Sequence, residues 1–267
     1  MKKYIILLTS VLLLSWNCSA FAQIALGKYR ERVDIAPGQT VKGEVTLNNR
    51  SDKLIFLKAY LKDIKFVQPF DGKKEILPAG STLYSISKWI KLSPESFNIP
   101  AGGKQIVTYT VNVPEGVKGS YYGTIYFEKS ASGKVEINTS VSLSVSWGYT
   151  LFLETNDKIK QATIEGVSFV KDAIQGNIAN TGNVLLVSSP TFYVMDEKDI
   201  VLDRGKLQDF YLPSGEKTTF KAQISKKIPQ GKHTLILNFD FGGVAPLVKE
   251  IYFSKTESGE IQISETK

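Results

Sequence analysis

Residues Ile137 to Leu153, INTSVSLSVSWGYTLFL, constrain this chain more than any other stretch. Every odd position (Ile137, Thr139, Val141, Leu143, Val145, Trp147, Tyr149, Leu151, Leu153) is apolar or β-branched, and most even positions are Asn, Ser, Gly or Thr. Alternation with period 2 puts one set of side chains on the buried face of a strand and the other set on the opposite face. At about 3.3 Å per residue the run would reach roughly 55 Å, far beyond an ordinary strand. One small sandwich cannot bury all of it. Either the chain bends near Gly148, or the first half lends its apolar side chains to a partner while the second half crosses into another domain. The plain alternative is the last strand of one sandwich with a twisted extension.

The start of the chain reads as an export signal spanning 1–22. Lys2 and Lys3 form a charged start, Ile5 to Leu14 an apolar run, and Ala20-Phe21-Ala22 a small-x-small cleavage site. Cleavage would leave Gln23 first and would remove Cys18, the only cysteine. The exported protein would then stand in a disulfide-permissive compartment without a disulfide, so its core must hold it together. No later stretch is long and apolar enough for a membrane anchor. The net charge of +7 falls to +5 once Lys2 and Lys3 are gone. That balance is modest, and without an arginine cluster or a nucleic-acid motif it gives no reason to expect a nucleic-acid partner.

Behind the signal, strand patterns and turns alternate. Ala36-Pro37-Gly38-Gln39 and Asn48-Asn49-Arg50-Ser51-Asp52 are turns, and Gln68 to Ser81, rich in Pro and Gly, reads as a rim loop. No helical period lasts three turns. Ile99-Pro100-Ala101-Gly102 is echoed by Leu212-Pro213-Ser214-Gly215. Each is followed by an extended run, a second Pro-x-Gly (Pro114 to Gly116, Pro229 to Gly231) and an aromatic-rich strand. The expectation is an all-β chain with two immunoglobulin-like antiparallel β-sandwich domains in tandem, at 23–153 and 154–253, then a polar, frayed tail at 254–267.

Chemistry for catalysis is sparse. His233 is the sole histidine and is expected to be half-exposed on a strand, with no triad setting around it. Asp196, Glu197 and Asp199 miss the spacing of a calcium loop and read as a polar turn. No metal or cofactor is expected, and no enzymatic activity. Tyr121, Tyr122, Tyr126 and Phe127 could stack on sugars, but core packing and hairpin pairs are their more ordinary use. What remains is binding through the backbone of an edge strand.

The sequence resembles the periplasmic pilus-assembly chaperones at three segments. Arg30-Glu31-Arg32-Val33, before Pro37-Gly38-Gln39, looks like that family's first strand, whose arginine grips a subunit's terminal carboxylate. Thr46-Leu47-Asn48-Asn49 looks like the strand end and turn that follow, and Val141 to Leu153 like the long last strand of the first domain. The resemblance implies a periplasmic protein that binds an exported, pilin-like subunit by strand complementation. It implies partner-binding residues Arg30, Arg32, Val141, Leu143, Val145, Trp147, Tyr149 and Leu151, with Arg30 and Arg32 both candidates for the anchor. The family's lysine before the Leu-Phe pair corresponds to Thr150 here. Trp89 to Phe127 also looks like wall-associated sandwich proteins. The alternative is therefore a non-catalytic structural module at the extracellular face that binds peptidoglycan or a surface protein.

Overall fold

The computed structural model describes residues 23–130, 145–170, 173–242 and 245–266. The expected signal and two of the expected partner-binding residues, Val141 and Leu143, lie outside them. In the first domain the strands are β1 (Ile24–Leu26), β2 (Arg30–Ile35), β3 (Thr40–Asn49), β4 (Ile55–Phe66), β5 (Lys74–Leu77), β6 (Ile90–Ser93), β7 (Ser96–Ile99), β8 (Lys104–Asn112), β9 (Ser120–Lys129) and β10 (Ser146–Thr155). In the second they are β11 (Ala162–Val170), β12 (Ala173–Asn180), β13 (Leu186–Ser188), β14 (Thr191–Met195), β15 (Val201–Lys206), β16 (Phe210–Leu212), β17 (Lys217–Gln223), β18 (Gly231–Phe239), β19 (Leu247–Lys255) and β20 (Ile261–Thr266).

Two sheets face each other in the first domain, β1-β3-β8-β6 and β2-β10-β9-β4-β5, with β7 also on β4. The N-terminal strand serves both. β1 runs antiparallel to β3, the chain crosses at Gly27 to Tyr29, and β2 then runs parallel to β10. The core between the sheets takes alternate residues, as period 2 requires: Ile55, Leu57 and Ala59 from β4, Val107, Tyr109 and Val111 from β8, Tyr149, Leu151 and Leu153 from β10. In the second domain β11-β12-β17 and β15-β14-β18-β19-β20 form the main sheets, with β13-β16 as a short pair. Its core draws Phe220 and Ala222 from β17 and Leu235, Leu237 and Phe239 from β18.

The Pro-Gly echo has a hydrogen-bonded counterpart. Asn49 and Asn180 are both buried. The amide of Asn49 donates to the carbonyls of Lys53 (2.7 Å), Ile99 (3.0 Å) and Pro100 (2.9 Å), and that of Asn180 to Val184 (2.8 Å) and Leu212 (2.8 Å). In each domain a buried asparagine four residues before its first acceptor ties one turn to the Pro-Gly turn. A buried amide left unpaired would be costly, so the sequence pattern and the packing specify one another.

Three details differ from the sequence expectations. Gln68 to Ser81 is not wholly loop, since β5 pairs with β4 from Asp63↔Leu77 to Phe66↔Lys74. Residues 254–267 were expected to fray, yet β20 pairs with β19, and Ile261 and Ile263 pack against the second core. Two isoleucines cannot build a core, but they can extend one that β19 already borders. His233 is buried at 5% exposure rather than half-exposed, its Nε2–H donating to the Pro229 carbonyl at 2.9 Å.

The domains meet over an apolar seam. Phe66, Phe70, Tyr122 and Phe152 of the first belong to the same buried cluster as the second domain's core. Polar bonds cross with them: Leu185 N–H donates to Ser120 Oγ (2.8 Å), Tyr211 N–H to the Phe70 carbonyl (2.7 Å) and Thr218 Oγ1 to the Pro69 carbonyl (2.7 Å). A β-carbon at Gly119 would come within 2.1 Å of the Asn183 carbonyl oxygen, so only glycine permits that approach. A seam of this kind fixes the relative placement of the domains more firmly than a polar linker would.

Candidate functional site

Strand β10 has two environments along one edge. Its β9 edge is paired throughout, from Ser146↔Glu128 to Glu154↔Ser120. On the other edge β2 pairs only from Thr150↔Arg30 to Thr155↔Ile35. The Thr150 N–H donates to the Tyr29 carbonyl (3.0 Å), while Lys129 N–H donates to the Val145 carbonyl (3.1 Å). Even residues of β10 therefore direct their backbone groups toward the β2 edge and odd ones toward β9. It follows that Ser146 and Gly148 turn theirs to an edge that no strand covers among the described residues. Beside it stand Val145, 52% exposed, and Tyr29, 67% exposed.

The expected partner-binding residues separate accordingly. Val145 lies at the open end. Trp147 is half-buried against the first core. Tyr149 and Leu151, at 1% and 0% exposure, are core residues of the first domain, so the expectation that their side chains are lent to a partner is corrected. The sandwich fills its own interior with them. The even face, polar in most of its residues, is covered from Thr150 onward: Phe152 joins the seam and Thr150 shares a hydrogen bond with Thr124 (3.0 Å).

Arg30 and Arg32 share one face of β2, two residues apart. Their partners differ. Arg32 Nη1 lies 3.0 Å from Glu154 Oε1; its side chain is 36% exposed and that of Glu154 1%. Lys158 and Lys160 approach the other oxygen of Glu154 at 3.8 and 3.9 Å, and Lys158 also pairs with Asp34. Burial pushes the Lys160 ammonium down, with Glu154 opposing. Arg32 is thus committed to neutralising a buried carboxylate. Arg30 is exposed, has no carboxylate partner among the described residues, and donates from Nη1 to the Tyr211 hydroxyl at 3.3 Å. It lines a cleft of about 400 Å³, with Arg32 and Phe152 from the first domain and Val187, Tyr211 and Phe241 from the second.

Glu31 points the other way. Its Oε2 accepts from the hydroxyls of Tyr109 (3.0 Å) and Tyr149, and Lys28 lies 3.2 Å from Oε1. The Tyr149 bond, with Lys28 and Tyr109, holds the Glu31 carboxyl below its ordinary value against the opposing effect of burial. Burial and the bond to Glu31 push the Tyr109 phenol up to about 12. This cluster locks β2 onto the sandwich directly behind the two arginines. The one signal of Glu31 in the sequence is its opposite parity between Arg30 and Arg32. Tyr211, more than a hundred residues away, carried no local signal.

Other candidates resolve structurally. Asp196 Oδ1 accepts from Lys198 N–H and Ile200 N–H, both at 2.9 Å, the bonding of a polar turn. Tyr122 and Phe127 are buried, Trp89 and Tyr121 pack on each other at 4.5 Å, and Tyr60 stacks on Tyr126 at 6.0 Å. Among the described residues no group of three or more His, Cys, Asp or Glu is placed to hold a metal ion, and no helix is long and apolar enough to cross a membrane.

The geometry so far defines a tandem pair of immunoglobulin-like sandwiches with a cleft between them. No protein-family model matches the sequence, and no curated protein matches it. Among solved structures, the chain is similar to one of a chaperone–tip adhesin complex in CFA/I fimbriae biogenesis, with a TM-score of 0.51 and 15% identity over 92% of this chain and 100% of that one. It is also similar to the class 5 fimbriae chaperone CfaA, with a TM-score of 0.51 and 14% identity over 91% and 99%. The chain therefore has the two-domain, all-β fold seen in fimbrial chaperones, and at this identity the likeness is one of fold.

Proposed function

We propose that the protein is a periplasmic chaperone that captures an extended segment of an exported, pilin-like subunit on the open edge of β10, with Arg30 anchoring the segment's carboxylate. The observation that carries this reading is the half-covered edge: β2 pairs with β10 from Thr150 onward, and among the described residues no strand covers the outward backbone groups of Ser146 and Gly148. An uncovered strand edge is a template for another strand, and a protein that keeps one needs a use for it. Val145 beside the edge, 52% exposed, adds apolar area worth about 1 kcal/mol when its exposed half is covered. Val141 and Leu143 continue its parity in sequence and are proposed to extend the same surface.

Arg30 rather than Arg32 is the proposed anchor, because Arg32 is held by buried Glu154. A guanidinium matches the planar geometry of a carboxylate with paired N–H groups. Export through cleavage after Ala22 and domains divided near 154 belong to the same proposal. The test is capture from envelope extract of the producing cell alongside binding to isolated peptidoglycan. An exported subunit held by the wild type and lost with Val145→Asp supports the proposal. Retention on peptidoglycan with no subunit captured would favour the wall-binding alternative.

A further inference from the structure

We infer that Tyr211 of the second domain is a positioning residue for the anchor, so that the carboxylate site in the cleft is built by both domains. The inference rests on the strand-capture reading. Where the resembled family has a second cation on β10, this chain has Thr150, buried and bonded to Thr124. A single flexible arginine on an exposed strand end is a poor grip, because it must lose rotamer freedom on binding. Here that loss is reduced in advance, since Arg30 Nη1 already donates to the Tyr211 hydroxyl at 3.3 Å.

Tyr211 is itself held in place. Its ring stacks on Phe66 of the first domain, with centroids 5.2 Å apart and planes 10° from parallel. The ring also lies over Gly72, where a β-carbon would come within 3.0 Å, and its own N–H donates to the Phe70 carbonyl at 2.7 Å. Gly72 has φ +98°, a conformation that favours glycine. The loop after β4 therefore grips a tyrosine of the other domain, and the tyrosine presents its hydroxyl beside Arg30 in the cleft. While the hydroxyl accepts from Arg30, its own proton is free to donate to an anion bound by the same guanidinium. With Arg32 paired to Glu154, the site thus offers the Arg30 guanidinium and one neutral donor, suited to a single terminal carboxylate.

The experiment uses the full mature chain and two synthetic ten-residue peptides of alternating valine and threonine, one ending in a free carboxylate and one in an amide. Affinities are measured by titration for the wild type, Arg30→Ala and Tyr211→Phe. The phenylalanine variant keeps the ring on Phe66 and removes only the hydroxyl. The wild type is expected to prefer the free acid by roughly tenfold, the scale of one charged hydrogen bond. Arg30→Ala should erase the preference, and Tyr211→Phe should cut it to about threefold or less with amide affinity unchanged. A full preference in Tyr211→Phe would overturn the inference and leave strand capture standing. Equal weakening toward both peptides would mark Tyr211 as packing only, and would also overturn it. Failure of the wild type to bind either peptide would overturn the strand-capture reading together with the inference.

Discussion

The two halves of β10 carry the same alternation and meet opposite fates. From Tyr149 to Thr155 both faces are buried, with Tyr149, Leu151 and Leu153 in the first core, Thr150 on Thr124, Phe152 in the seam with the second domain and Glu154 in the ion-pair network. At Ser146 and the preceding Val145 both side chains are exposed, and among the described residues no strand covers one backbone edge. The difference comes from where β2 starts. Because the N-terminal strand spends its first residues on β3 and crosses at Gly27 to Tyr29, it reaches β10 only at Thr150. Periodicity says which side chains share a face, whereas a neighbour's register decides what covers them.

The widest contrast is between Leu151→Asp and Val145→Asp. A carboxylate at fully buried Leu151 should cost more than about 4 kcal/mol and leave little folded protein, while the same change at Val145 should shift stability by under about 0.5 kcal/mol. Urea unfolding of both variants measures it, and equal losses would erase the distinction between the halves. Next come the arginines. Arg32→Ala strands Glu154 without its nearest cation and should cost about 2–3 kcal/mol, discounted for the partial exposure of Arg32. Arg30→Ala should cost under about 0.5 kcal/mol and act on capture instead.

A smaller effect is expected from Ser146→Pro. Proline removes the outward N–H at an edge position and leaves the carbonyl and the β9 pairing, so capture should weaken by about 1 kcal/mol in a titration with the subunit. Smallest of all is the acid response. Burial alone would raise the Asp63 carboxyl, but hydrogen bonds from Ser85, Thr82, Ser87 and Gly80 outweigh it, leaving Asp63, like Glu31, below its ordinary value. Carboxyls with lowered folded values add stability that is complete above the unfolded values near 4 and is lost as pH falls through the folded ones. Stability should therefore be level from about pH 7 to 5 and decline below about 4, with Asp63→Asn flattening the decline in a pH series of unfolding curves.

Much of the fold was legible because it depends on local rules. Period-2 runs and Pro-Gly turns mark the strands, whereas the equivalent roles of Asn49 and Asn180, each bonded to the Pro-Gly turn of its own domain, carry no signal of their own in the sequence. The strand β20 was not legible, since its two isoleucines gain their value from β19 beside them. Of the candidate site, Arg30 and Val145 could be read from the sequence. The commitment of Arg32 to Glu154 could not, because it joins residues on different strands, and burial of Tyr149 and Leu151 followed from a closed sandwich that alternation alone cannot distinguish from an open groove. Tyr211 reaches Arg30 only through the docking of the two domains.

Amide hydrogen exchange on β10 tests the central claim most directly, followed residue by residue by NMR in the free protein and in complex with the captured subunit. In the free protein the Ser146 and Gly148 amides should exchange fast, and those of Trp147 and Tyr149, paired with β9, should be protected. On capture the Ser146 and Gly148 amides should become protected, with Trp147 and Tyr149 little changed. A complex in which Ser146 and Gly148 still exchange as fast as in the free protein would contradict strand addition at this edge.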